Sequence, residues 1–570
     1  MAQFRRNPVT PSSRKPPNPL AKAVGRAKHS KLIHDLTLRG DKPLNLLGTP
    51  PNIWRGSVRS GTQMVCGKII GGGHPLENDD EDQDIWPDES IWHTTNLDKH
   101  WLEYLHSFNW LADINQAVDQ GAAKKRAQEL VEGWIEQNTH WGEISWRPDI
   151  VGERLLNWLV YTPLVLDSLD VVYRGRVFDS LARSARHLIK QASELPEGPD
   201  GLKAFIGLII AGLYIPKGED WLKEGSRRLS QRLAKEVLAD GGLRSRNPQE
   251  LLFIFMKLVV LRQSFIELDK KPPENLSEAL GKMASNLKQM SHGDGKLALF
   301  NGVILYNHED IKNAISKLDK DEIPDINMEQ SGFVRIEKGK TVIITDVAPP
   351  ADHELSTMGH AGTHSFEMSR GDDRLIVNCG DASFVPRKFS EELAVHSRGS
   401  TAHSTLVLDG RNSSQIGPDG LIGEGVTNTV TQKFEQDGHI LIESEHDGYL
   451  LRYGIIHKRL IYMDATGNDV RGEDILENKA QQTKNDRLPF DVRFHLHPNV
   501  SVTLSTDGNS VYLGLTNGET WQFRQSGATI AIEESIYFGE AGKISPSKQI
   551  VLMGRTGSNI TTVKWSLKKG

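Results

Sequence analysis

The side chains that could do chemistry concentrate in three short polar blocks, each at the end of a β-type apolar run. The first is Gly359-His360-Ala361-Gly362-Thr363-His364-Ser365-Phe366-Glu367, the second Arg374-Leu375-Ile376-Val377-Asn378-Cys379-Gly380, and the third runs from His396 through Thr401-Ala402-His403-Ser404-Thr405 to Asp409. An imidazole can neutralise a carboxylate, carry a proton near neutral pH or ligate a metal. His360 is the leading catalytic candidate, and His403 the second. The competing reading is a hydrogen-bonded structural histidine in a strand-end turn. Tyr449 and His446, in Ser444-Glu445-His446-Asp447-Gly448-Tyr449, are further acid/base candidates. Arg244 and Arg246 stand in a loop entering a helix, where guanidinium groups can clamp carboxylates bidentately. Asn247 and Asn301 could hydrogen-bond the same group. Arg154, on an otherwise apolar helix, either points into a cavity or pairs with an acid, and pairing is favoured.

The elements that must hold these residues are of two kinds. Leu156, Leu159, Val160 and Leu164, then Leu181, Ala185, Leu188 and Ile189, then Leu251, Phe255, Leu258 and Leu261 recur at helical spacing. Short Gly/Pro-rich breaks separate them, so the helices are antiparallel neighbours. From about residue 297 the pattern becomes alternation, as in Thr405-Leu406-Val407-Leu408 and Val492-Arg493-Phe494-His495-Leu496, with Asp-Gly and Asn-Gly turns between. Strands over that length need two stacked sheets. The expected fold is therefore α+β and multidomain, with a basic flexible arm over 1–45, an irregular Gly-rich and acidic segment over 46–90, a helical domain over 91–295 and an antiparallel β-sandwich over 296–570. Met64–Ile70 is read as a strand, and the acidic run 77–84 as a loop without metal. Tryptophans crowd the helical half. Their aromatic faces suit sugar rings, although large rings also fill gaps between helices.

With these residues in view, the chain resembles the heparinase II/III-like polysaccharide lyases. The three blocks carry the likeness, with Ser444–Tyr449, Phe494-His495-Leu496-His497-Pro498 and Asp240-Gly241-Gly242-Leu243-Arg244-Ser245-Arg246-Asn247-Pro248. The resemblance implies an (α/α) toroid followed by the sandwich, a substrate cleft between them, and β-elimination on a uronic-acid polymer. That reaction needs the uronate carboxylate neutralised, a base for the C5 proton and an acid for the departing oxygen. It assigns His360 to the second histidine of the family's Gly-His-x-His pattern, with Met358 in place of the first. In a second register His360 is the first, and Gly362 replaces the second. In the preferred register the family's metal positions fall on His360, Asn378 and His403. Asparagine is a poor zinc donor, so neither a metal nor a cofactor is expected. The family's Asn or Asn-His pair before the apolar helix at 204–215 is absent, where Pro199-Asp200-Gly201-Leu202 stands. Its tyrosine near 250 is also absent, where Pro248-Gln249-Glu250-Leu251 stands. The expected function is lyase-like cleavage of an acidic polysaccharide or oligosaccharide. The alternatives are a catalytically silent saccharide-binding or scaffold protein, or a toroid glycoside hydrolase.

Other classes are excluded or disfavoured. A net charge of −6 argues against a nucleic-acid partner. Two cysteines, Cys66 and Cys379, cannot build a disulfide framework. The longest apolar run, Ala204–Ile215, is too short for a membrane span. No nucleotide-binding glycine motif or serine elbow is present. The start lacks the apolar core of a secretory signal, so the cytoplasm is expected, with the cell envelope as alternative. A homo-oligomer is left open.

Overall fold

The computed structural model describes residues 31–68, 70–71, 74–75, 91–93, 99–304, 308–384, 387–479, 487–540 and 543–570. The first 30 residues of the expected arm, the acidic run 77–84 and Trp86 lie outside them. The last part of that arm is not free. Lys31–Thr37 is helical, Leu38 is buried, Arg186 donates to the Leu38 carbonyl at 2.7 Å, and Arg183 meets Asp35 at 2.8 Å. The strand expected from Met64 is also corrected. Val58–Val65 is a helix, capped by the Ser57 hydroxyl, because Gly61 and Met64 turn one face into the helical body. Only Ile70–Gly71 is extended, paired with His74–Pro75.

The main helices of the first body are Lys99–Ser107, Gln120–Asn138, Pro148–Val160, Val171–Gln191, Pro199–Tyr214, Glu219–Glu236, Pro248–Glu267 and Leu276–Gln289. Their starts follow local rules. Asp119, Asp170 and Asn247 accept from first-turn amides, and Pro148, Pro199 and Pro248 occupy positions whose missing N–H costs nothing. Pro199–Tyr214 is buried almost throughout and packs on Pro148–Val160, Glu219–Glu236 and Pro248–Glu267. Two glycines allow its closest approach: a Cβ on Gly207 would lie 2.3 Å from the Gly152 carbonyl oxygen. Trp110, Trp134, Trp146 and Trp158 are buried against Phe108 and one another, so these rings fill space between helices and do not face a sugar. No helix among the described residues is long and apolar enough to cross a membrane.

The second body is two antiparallel eight-stranded sheets. The first runs Thr529–Tyr537, Ser545–Arg555, Pro489–Leu496, Asp373–Val377, Phe366–Arg370, Thr341–Asp346, Phe333–Lys338, with Leu406–Leu408 also on Pro489–Leu496. The second runs Ser501–Leu504, Ser510–Gly514, Thr520–Ser526, Ile560–Lys569, Asp469–Asn478, Ile455–Met463, His439–His446, Thr429–Gln436. Alternation does what the sequence pattern predicts: in Ile455–Met463 every second residue is buried. Phe366 of one sheet stacks on Trp565 of the other, ring centroids 5.4 Å apart and nearly parallel. Each such ring contributes about 2–3 kcal/mol by burial. The fold is the expected α+β one, with a helical toroid followed by a large β-sandwich.

The glycine crossing can be tested. Gly207→Ala places a methyl group against backbone that cannot yield without parting two helices. Overpacking of this kind costs about 1–3 kcal/mol, more than the about 1 kcal/mol of helix propensity that alanine gains over glycine. Urea unfolding is expected to show the lower midpoint.

Candidate functional site

The nominated residues occupy three places. The first is the junction of the bodies. Arg246 is buried, with backbone φ of 56°. Its guanidinium meets Asp346 at 2.6 Å, donates to the carbonyls of Ser331 (2.8 Å), Gly332 (3.2 Å) and Pro349, and lies over the Phe333 ring. Every side of this cation is occupied by protein, so it is not a free clamp for a substrate carboxylate. Arg244 is bound to Glu197 at 3.0 Å and Asp352 at 2.8 Å. The Asn247 side chain accepts from the amides of Gln249 and Glu250 and caps the helix Pro248–Glu267. Arg154 neither enters a cavity nor finds an acid. It lies 4.0 Å over Trp134 and donates to the carbonyls of Ser145 and His106, and burial pushes its guanidinium down to about 9.

The second place is the turn before Phe366–Arg370. The His360 amide donates to Asn301 Oδ1 at 3.1 Å, and Asn301 Nδ2 donates to the Arg246 carbonyl at 2.9 Å, which ties the turn to the junction. His360 Nδ1 is 3.0 Å from His403 Nε2, and His403 Nδ1 is 2.7 Å from the Gly399 carbonyl. A carbonyl only accepts, so His403 carries its proton on Nδ1 and accepts at Nε2 from His360 Nδ1–H. His360 Nε2 then presents a lone pair, and it is buried without a partner. Burial holds His360 well below the usual histidine range, with His403 and Arg398 adding to the effect, and burial pushes His403 down to about 4. Both rings are neutral at neutral pH. Asn378, at the ligand position, uses both ends of its amide: Nδ2 donates to the Leu299 carbonyl and Oδ1 accepts from Ser404 N. An aspartate could not donate to that carbonyl.

The third place lies between the sheets. His446 Nδ1 accepts from Gly448 N, His446 Nε2 is 3.1 Å from His457 Nδ1, and His457 Nε2 is 2.8 Å from Asp474. The Tyr449 hydroxyl donates to the carbonyls of Leu406 and Arg411, and burial raises it above its ordinary value.

Sequence reasoning passed over two further sets. Glu367 joins His292 at 3.1 Å and the Asn378 amide at 2.8 Å, while Arg374 pairs with Asp294 at 2.9 Å, and together they sew the chain after the last toroid helix onto the first sheet. The second set lies where three helices begin with proline and an acid nearby. Asp149 binds Arg147 at 2.7 Å, Asp200 binds Lys203 at 3.0 Å, Glu153 binds Lys257 at 3.1 Å, and Arg147 also meets Glu103. Burial opposes the charge on Lys203, but Asp200, Glu153, Asp149 and Glu250 together overcome it and hold its pKa above the ordinary value. Carboxylates outnumber cations here. The adjoining Gly198 faces Leu355 of the sandwich, so this end of the toroid is turned toward the second body. The repeated Pro-Asp at 148–149 and 199–200, with Pro248 two before Glu250, was the signal available.

Residues 321–566 match the family model described as heparinase II/III-like, C-terminal. The whole chain superposes on a crystal structure of heparinase III with a TM-score of 0.74 at 14% identity, covering 96% of this chain and 91% of that one. Residues 321–566 therefore carry the heparinase II/III-like C-terminal domain, and the chain has the heparinase III fold. A heparan sulfate lyase from Pedobacter heparinus also has this fold, with a TM-score of 0.57 at 15% identity, over 96% of this chain and 90% of that one. The chain is also similar to the FtsZ-localized protein C of Caulobacter vibrioides, 28% identical over 495 residues that span 84% of this chain and 83% of that protein. The chain is thus similar in structure to proteins named as lyases and in sequence to one named for its place in the cell.

Two outcomes follow from this geometry. Arg246→Met leaves Asp346 buried without its cation and is expected to cost about 3–5 kcal/mol, while adding Asp346→Leu recovers a large part of it; urea denaturation of both variants measures this. The buried histidines also set an acid limit. His403 is pushed down to about 4 and His495 to about 3, so below pH 6.5 the unfolded chain binds protons that the folded one refuses. Stability is expected to fall as pH drops from 6.5 toward 4, by about 1.4 kcal/mol per unit for each such histidine. A flat profile over that range in urea titrations would contradict the neutral-ring assignment.

Proposed function

We propose that this chain is a heparinase-fold binding or scaffold protein that does not carry out β-elimination on uronates, and that it acts in the cytoplasm in association with FtsZ. The observation that carries this reading is the charge at the inner end of the toroid. Elimination begins by neutralising a substrate carboxylate, and the residues gathered there are Glu103, Asp149, Glu153, Asp200 and Glu250 with Arg147, Lys203 and Lys257, cations already committed to those acids. A uronate brought to this place finds no uncommitted cation among them. The other nominated cations are committed elsewhere, Arg246 to Asp346 and Arg244 to Glu197 and Asp352. The proton-transfer groups lend no help. His360 offers a lone pair of low basicity, and Tyr449 holds its proton tightly inside the sandwich. The likeness to the FtsZ-localized protein C supports a role set by association and not by turnover.

The test has two arms. The purified chain is incubated with a panel of uronic-acid polymers and followed in the near ultraviolet, where an unsaturated uronate absorbs. It is also sedimented with FtsZ polymers. The expected result is no absorbance change and co-sedimentation with FtsZ. Turnover that disappears in His360→Ala would overturn the proposal and restore β-elimination on an acidic polysaccharide. The electrostatic coupling of Asp200 to Glu250 suggests one second reading, hydrolysis by a carboxylate pair; release of reducing ends without ultraviolet absorbance would select it.

A further inference from the structure

We propose that His364, His446 and His457 form a binding site for a single divalent cation of the zinc class, separate from the His360, Asn378 and His403 positions. The three side chains come from different parts of the sandwich: the turn before Phe366–Arg370, the end of His439–His446, and Ile455–Met463. All three are buried, and one nitrogen from each lies within 4.8 Å of the other two. The ring centroids are 4.6 Å apart for His364 and His446 and 5.0 Å for each of the other pairs.

The outer nitrogens explain why the inner ones converge. His457 Nε2 is held by Asp474, which Arg459 and Trp565 fix in turn. His364 Nε2 is held by the Ser444 hydroxyl at 2.9 Å. His446 Nδ1 is held by the Gly448 amide. A metal-bound histidine is oriented by an acceptor on its remote nitrogen, a carboxylate above all; Asp474 and the Ser444 hydroxyl can serve so, whereas the Gly448 amide is a donor. The nitrogens left for a cation are His364 Nδ1, His446 Nε2 and His457 Nδ1. His364 Nδ1 is buried and makes no hydrogen bond. The His364 backbone has φ of 68°, strained for a residue with a side chain, and Arg459 donates to its carbonyl at 2.8 Å. The chain thus accepts strain to aim an otherwise idle nitrogen at two others.

Tetrahedral zinc–imidazole bonds of about 2.0–2.1 Å put neighbouring nitrogens about 3.3 Å apart. His446 Nε2 and His457 Nδ1 are already at 3.1 Å, so only His364 has to close in. One proton must move. In the hydrogen-bonded arrangement His446 carries its hydrogen on Nε2 and donates it to His457. On binding, that hydrogen transfers to Nδ1, the Gly448 amide loses its acceptor, and three nitrogen lone pairs become ligands with the fourth position left to water. Three neutral imidazoles select a borderline cation such as zinc over calcium or magnesium, which want oxygen.

The test uses the untagged full-length chain with Cys66→Ser, which removes an exposed thiol that could hold zinc by itself. After growth with zinc and gel filtration, elemental analysis is expected to find about one zinc per chain. His364→Asn, which tolerates the left-handed backbone, is expected to drop it to background with unchanged circular dichroism, while the exposed His439→Ala retains it. Cobalt exchange of the unmodified chain, which depends on no variant, is expected to give the visible bands of a tetrahedral site. Background zinc together with featureless cobalt spectra in the folded chain would overturn the proposal, as would full zinc occupancy in His364→Asn.

Discussion

The contact on which the rest of this molecule depends is the buried pair of Arg246 and Asp346. A guanidinium removed from water is tolerable only if its charge and its N–H groups are all met. Here a carboxylate, several carbonyls and an aromatic face meet them. The partners belong to both bodies, because Arg246 precedes a toroid helix and Asp346 ends a strand of the sandwich. The orientation of toroid and sheet is therefore set by satisfying one cation. Through Asn301 the same residue reaches His360, so the turn that looks most catalytic in the sequence is also part of the brace.

Polar residues buried in the sandwich follow a single logic. His360 with His403, His446 with His457 and Asp474, and Asn378 between Leu299 and Ser404 each meet their neighbours as donors and acceptors in fixed tautomers. Such layers are costly unless nearly complete, and they replace solvent with internal partners. The price is chemical: a histidine kept neutral by burial has little left for an anionic substrate. The acidic end of the toroid adds to this, because its cations are already committed to neighbouring carboxylates.

Much of the architecture was legible in the residues. Helical spacing, then alternation with Asp-Gly turns, gave the two bodies in order, since both signals are local. The candidate site was legible only as a location. Asn247 illustrates what a local signal could still have supplied: asparagine followed by proline, with glutamate three residues on, is a helix start, and its side chain is spent on that. Arg246 could not be read this way, because its partner lies 100 residues on. Tyr449 was nominated with His446 as an acid/base group, yet its hydroxyl points inward to two carbonyls. The meeting of His364 with His457 escaped notice because only the packing of one sheet on the other brings them together.

That separation of 100 residues between Arg246 and Asp346 also has a temporal side. At synthesis speeds of about 5–20 residues per second, Arg246 leaves the ribosome about 5–20 s before its carboxylate does. The carbonyls of Ser331, Gly332 and Pro349 arrive over the same interval. For that time the end of the toroid carries an unanswered cation beside the apolar ring of helices. The junction between the helical half and the sandwich can close only once the strand Thr341–Asp346 has emerged.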